Sequence, residues 1–198
     1  PTTQPPDEPT RRRHSPPPAP YARYRACLRW DFGFTCGLCL LHEDDLSGSG
    51  GVEGTGLMSV EHRTPRSVSP DLTDRYDNCV YACRFCNGAR SNRPVVDPAT
   101  RALLLDPTKS AWADHFTVRD DCLRPREGDR DAKYTWRAYD LDDPRKVKRR
   151  WQRRKFLEET RTALTSLQER MNRLSECQAR CGSANAAAIQ ELARRHGI

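Results

Sequence analysis

Nowhere in the 198 residues is there a run of eighteen apolar side chains, so no segment is long and hydrophobic enough to read as a membrane span. The N-terminal residues lack the apolar core of a secretory signal, which makes the cytoplasm the expected location. Apolar residues are scarce overall. At 36% of the chain, with aromatics at 8% and two methionines, they leave little material for a large core, and a fold this poor in core needs a staple. A nucleotide-type phosphate loop is also missing. The glycine-rich run Ser47-Gly48-Ser49-Gly50-Gly51, with Gly54 and Gly56 beyond it, has no Gly-Lys-Ser/Thr ending and no strand leading into it. It reads as a mobile loop.

What is plentiful is positive charge and cysteine. The balance of 34 basic against 27 acidic residues gives a net charge of +7 and points to an anionic partner, nucleic acid first. There are nine cysteines. In a reducing compartment the spacings Cys36-x-x-Cys39 and Cys83-x-x-Cys86 favour metal over disulfides. Four thiolates close the tetrahedral shell of one Zn²⁺, so such a site stabilises structure and does not by itself catalyse. The other five, Cys27, Cys79, Cys122, Cys177 and Cys181, are expected mostly as small buried hydrophobes.

Composition divides the chain into four parts. Residues 1–20 hold eight prolines and the run Arg11-Arg12-Arg13, and are expected to be a disordered tail. Residues 21–96 form the cysteine-bounded core. It opens with a short helix at Tyr21, Tyr24, Cys27 and Leu28, followed by the aromatics from Trp30 to Phe34, which are expected to pack beneath the first knuckle. Within it, residues 57–60 read as a strand ending at Glu61-His62, and residues 84–91 as a helix stopped by Pro94. Residues 97–142 alternate apolar and polar side chains at Phe116/Val118 and again at Tyr134/Trp136/Ala138, and are expected to be a β-rich extension. Residues 143–198 are expected to be a basic helical region opening at Asp143-Pro144. Eight of the eleven residues from 145 to 155 are Lys or Arg. Beyond them Leu157, Leu164 and Met171 repeat every seven residues, with Leu167 and Leu174 at the complementary positions, a seam that needs a partner helix. The partner is either the 186–195 segment folded back past Gly182 or a second copy, giving a homodimer through residues 157–181.

The polar residues left inside the core carry the chemistry. A neutral imidazole at His62 can take a proton from water near neutral pH. Glu61 and Asn87 offer oxygen ligands to a hard divalent cation such as Mg²⁺ or Mn²⁺. Adjacent residues diverge on a regular strand, so the pair Glu61-His62 requires an irregular strand end, and Asn78 is the amide suited to hold the loop that follows.

The ordered set Cys36-x-x-Cys39, Glu61-His62, Asn78 and Cys83-x-x-Cys86-Asn87 resembles the HNH endonucleases over roughly residues 30–95. The resemblance implies an α+β fold. Its centre is a small zinc-stapled ββα-metal (His-Me finger) core, to which a β-hairpin and a C-terminal helical extension are added. It implies His62 as general base, Glu61 and Asn87 as ligands of the catalytic cation, Asn78 as the loop brace, and the four cysteines as a structural zinc site. Many members carry Asp at the position of Glu61 and His at that of Asn87. The segment from Trp112 to Phe116 is similar to an extension of stand-alone members, with His115 expected in a structural or substrate-side role.

DNA is the expected partner, with RNA also open. Arg63, Arg90 and Arg93 are expected beside the scissile phosphate, and Arg145, Lys146, Lys148 and Arg149 are expected to extend the grip on the backbone. The rival readings are a zinc-stapled nucleic-acid-binding module without catalysis, and a zinc-ribbon interaction protein in which the same polar residues are merely solvated.

Overall fold

The computed structural model describes residues 4–46 and 57–197, so the glycine-rich run expected to be mobile lies outside the described residues. The chain divides into two compact units, Pro1–Arg154 and Lys155–Ile198.

In the first unit Pro20 opens a tight turn, Tyr21–Tyr24, that runs into helix α1 (Arg25–Asp31), where Tyr24 and Leu28 are buried one helical turn apart. Strand β1 (Met58–His62) pairs antiparallel with β2 (Cys79–Cys83), Met58 opposite Cys83 and His62 opposite Cys79. All five residues of β2 are buried, as befits a strand covered on both faces. Helix α2 (Arg84–Arg90) starts at the residue after β2.

The first Cys-x-x-Cys turn is fixed to this hairpin by Gly37 N–H donating to the Tyr81 carbonyl at 2.9 Å. The approach is close. A Cβ on Gly37 would meet the Phe32 ring at 2.4 Å, so Phe32 does pack beneath the knuckle, whereas Trp30 is 61% exposed against Phe34. Trp112, in the short helix α3 (Trp112–His115), is buried and donates its indole N–H to the Leu38 carbonyl at 3.0 Å.

The expected β-rich extension is only partly β. Strands β3 (Phe116–Arg119) and β4 (Cys122–Pro125) form the added hairpin, giving, among the described residues, a mixed helix-and-strand fold with two small antiparallel sheets. Residues Tyr134, Trp136 and Ala138, read as a strand, instead lie in helix α4 (Arg130–Ala138). Two signals outweigh the short alternation. Asp129 accepts the Ala132 N–H as an N-cap at 2.8 Å, and the buried residues Ala132, Thr135 and Ala138 recur every three.

The Pro/Arg-rich tail also departs from expectation. Residues 4–20 form no helix or strand, yet they are tied to the body rather than left disordered. Arg12 donates to the Cys79 carbonyl at 2.6 Å. Asp31 accepts the Arg13 and His14 backbone N–H groups, and Thr10 and Pro6 bond residues 107 and 113 through the backbone. Tails poor in apolar groups can order when backbone donors and one arginine find acceptors.

The last helix, α5, opens at Pro144 as the Asp143-Pro144 pair predicts but runs unbroken to His196, so no segment folds back at Gly182. Cys177 and Cys181, expected to be buried, are exposed on it. No described helix is long and apolar enough to cross a membrane.

The start of α5 is fastened to the core by Arg150, which is 1% exposed and donates to the carbonyls of Asp121 (2.7 Å), Leu141 (2.9 Å) and Cys39 (3.2 Å). Its removal strands three buried acceptors. Arg150→Ala should cost about 3 kcal/mol and lower the Tm by roughly 6–12 °C, as read by thermal unfolding.

Candidate functional site

The two Cys-x-x-Cys turns meet at one point. Cys36, Cys39, Cys83 and Cys86 are all buried, and their sulfurs lie within 4.8 Å of one another. The Cys39 and Cys83 sulfurs are 3.6 Å apart, far outside the length of a disulfide. Four sulfurs converging from two turns, with none oxidised, are a donor set that can hold a metal such as zinc. Burial works against a thiolate at Cys36, yet hydrogen bonds from Cys39, Cys83 and Cys86 hold it well below the usual thiol range. Cys83, through its hydrogen bond to Cys36, and Cys86, through burial, move the other way. All four can ionise together only when a cation offsets their charge.

Two arginine or lysine side chains from the expected DNA-binding cluster are spent here. Lys146 is fully buried and donates to the carbonyls of Tyr139 (2.5 Å) and Asp140 (2.9 Å). Burial alone would lower its pKa, but the charges of Cys86, Cys39, Cys83 and Cys36 raise it instead. With Arg150 bonded to the Cys39 carbonyl, α5 brings two buried cations to four thiols. A tetrathiolate zinc centre would carry two negative charges, which the pair would balance in a medium where an unpaired charge is expensive.

The remaining cluster is also largely engaged within the fold. Arg145 pairs with Asp143 and stacks on Phe85, Arg149 donates to the Asp45 carbonyl, and Arg154 grips Asp121. Lys148 is exposed. Of the three arginines expected beside the reacting phosphate, Arg93 caps the end of α4 through the carbonyls of Arg137 and Ala138, and Arg63 pairs with Asp106 at 2.9 Å. Arg90 is 1% exposed and acts as an internal anchor, yet it also lines the cavity that holds Glu61, His62 and Asn87. It donates to Glu61 Oε1 at 2.7 Å and to the carbonyls of His62 and Arg63.

Glu61, His62 and Asn87 line one cavity of about 660 Å³, together with Tyr21, Arg25, Ser59 and Arg66. As neighbours on β1, Glu61 and His62 find different partners, Glu61 in Arg90 and His62 in the loop that follows, yet both reach the cavity from the strand end. His62 Nε2 lies 3.0 Å from the Thr73 carbonyl, which can only accept, so Nε2 carries the proton and Nδ1 holds the lone pair. Burial pushes the His62 pKa below its ordinary 6.5, which keeps the ring neutral. The Tyr21 ring stands edge-on to it at 4.7 Å, and Arg66 lies over Tyr21 at 5.3 Å.

Asn78 lies outside the cavity and spans the loop. Its Oδ1 accepts the Thr64 N–H at 2.8 Å, and its Nδ2 donates to the Thr64 and Leu72 carbonyls, both at 3.1 Å. The same loop carries Thr73, so Asn78 sets the carbonyl that fixes the His62 tautomer. Asn87 Nδ2 donates to Ser59 Oγ at 2.9 Å, which fixes the amide with its oxygen on the opposite arm. His115 pairs with Asp129 at 2.7 Å, away from this cavity.

Sequence reasoning missed Tyr21, Arg25, Ser59 and Arg66 as cavity residues. Arg25 stands one helical turn beyond Tyr21, which was the available signal; Arg66 had none beyond its charge. No protein-family model matches the chain, and neither a curated protein nor a solved structure is found to match it.

Two outcomes follow from these charges. Lys146→Met should weaken zinc retention by about 10- to 100-fold, measured by chelator competition. Burial raises the Glu61 pKa from 4.5 to about 7 against the pull of Arg90, so folding takes up a proton there. That stabilisation is complete below pH 4.5 and is lost as pH rises through 7. Thermal unfolding without added divalent cation should show wild type falling relative to Glu61→Gln across that window.

Proposed function

We propose that the chain is a divalent-cation-dependent endonuclease of the HNH class that hydrolyses phosphodiester bonds in DNA. The observation that carries this reading is His62: a neutral imidazole, its tautomer fixed by a backbone carbonyl, in a cavity shared with a carboxylate, an amide and the arginines Arg25 and Arg66. The order β1, loop, β2, α2, with His62 closing β1 and Asn87 on α2, is what a ββα-metal core requires. Glu61 and the Asn87 oxygen are hard donors of the kind Mg²⁺ and Mn²⁺ prefer. Because Arg90 already holds Glu61 Oε1, a cation would share that carboxylate or displace the guanidinium.

In this mechanism the His62 Nδ1 lone pair takes a proton from the attacking water, and Thr73 holds the ring so that the other nitrogen carries the charge-compensating hydrogen bond. Arg25 and Arg66 draw the polyanion into the cavity. Glu61 and Asn87 would hold the divalent cation, which would supply stabilisation of the charge that gathers on the phosphate and its leaving oxygen. The cysteine cluster, as a structural zinc site, keeps β2 and α2 in register with the first knuckle and takes no part in the reaction.

The Arg90–Glu61 ion pair favours a second reading, a zinc-stapled nucleic-acid-binding module in which the carboxylate is committed to structure. Plasmid cleavage separates the two. Under Mg²⁺ or Mn²⁺ the wild type should nick DNA, and His62→Ala should lose about 10²- to 10⁴-fold in rate while still binding DNA. Salt-sensitive binding with no cleavage in either ion would establish the second reading, and His62→Ala cleaving like wild type would overturn His62 as the base. The pH profile adds a signature. Ionisation of Glu61 near 7 must precede cation binding, so that acid limb should move to lower pH as cation concentration rises. The His62 limb, below 6.5, should stay where it is.

A further inference from the structure

Beyond Lys155 Leu157 is half-buried, and the larger apolar side chains that follow it along the helix are exposed: Leu164 is 61% accessible, Leu167 52%, Met171 61% and Leu174 70%. A soluble helix buries such a stripe against something. The stripe is narrower than one made to lie on a globular core. Leu157, Leu164 and Met171 recur every seven residues, with Leu167 and Leu174 three residues after the second and third of them, which is the 3.5-residue seam of a two-helix supercoil.

We infer that α5 pairs, parallel and in register, with α5 of a second copy of this chain. Three features select that occupant. The seam continues in the same phase through Gln178 and Asn185 to Leu192, and an amide at this position is satisfied by its own counterpart, which fixes both register and a two-stranded state. In the parallel pairing the flanking positions meet five residues apart, from Phe156 with Arg161, through Arg170 with Ser175, to Glu191 with His196, and no like charges face each other. The length also suffices. From Leu157 to Leu192 the seam runs roughly 50 Å at 1.5 Å per residue, whereas a lone helix has no tertiary packing to stabilise it.

This pairing stands apart from the reaction proposed above. It does have a consequence for it, because a parallel seam tethers two copies of the first unit to one assembly.

The register makes a prediction about two cysteines. Cys181 falls at the second seam position and faces Cys181 of the second copy, while Cys177 is a flanking residue that faces away from its counterpart. Light scattering of the full chain at micromolar concentration should give twice 22.7 kDa. Leu164→Glu with Leu167→Glu should return the single-chain mass while leaving the zinc content unchanged. Mild oxidation followed by a non-reducing gel should trap a covalent dimer that persists in Cys177→Ser and disappears in Cys181→Ser. A wild-type mass of one chain overturns the pairing. A mass of three or more chains, or a dimer whose trapping does not depend on Cys181, overturns the parallel two-stranded arrangement.

Discussion

The meeting of four buried sulfurs is the constraint on which the rest of the first unit depends. It joins a turn at residues 36–39 to a turn at residues 83–86, and those two turns carry most of what positions the cavity. Around the first turn, Phe32 fills the space left by the missing Cβ of Gly37, and Trp112 and Arg150 bond the carbonyls of Leu38 and Cys39. The second turn closes β2 and begins α2, so Arg90 and Asn87 are placed relative to β1 by the same cross-link. A core with so few large apolar side chains obtains its order from this centre and from hydrogen bonds to it.

Charge inside the fold follows from that choice. Four thiols in a low-dielectric interior require compensation, and the cations come from α5 rather than from solvent. Glu61, buried beside Arg90, is a second case of the same economy, an acid kept internal by an arginine that also bonds the backbone after His62. His62 differs in kind. Its partner is a neutral carbonyl, which leaves the ring uncharged and one nitrogen available, so neighbours on one strand present an ion-paired carboxylate and a neutral imidazole with a lone pair.

The features legible in the sequence were those encoded by short spacing. Both Cys-x-x-Cys turns, the strand ending at His62, the helix after Cys83 and the helix opening at Pro144 all rest on local signals that tertiary packing did not override. What was hard to read was the destination of charged side chains. Arg90, Lys146 and Arg150 look like surface residues in sequence, and only the three-dimensional arrangement reveals that carbonyls, a carboxylate and the cysteines converge on them. The same holds for the tail, whose ordering comes from Arg12 and the Asp31 carboxylate far along the chain. In the 130–138 segment, alternating aromatics imitated a strand, although Asp129 and the period of Ala132, Thr135 and Ala138 carried the helical signal.

The proposed chemistry turns on the state of one imidazole. Nitrogen-15 NMR of the full chain, with His62 assigned through His62→Gln, reads its tautomer and its titration together. The expected result is a neutral ring at pH 7 with the proton on Nε2 and a pKa below 6.5. A ring protonated on Nδ1, or one that titrates above 6.5, would contradict the assignment of His62 as the base.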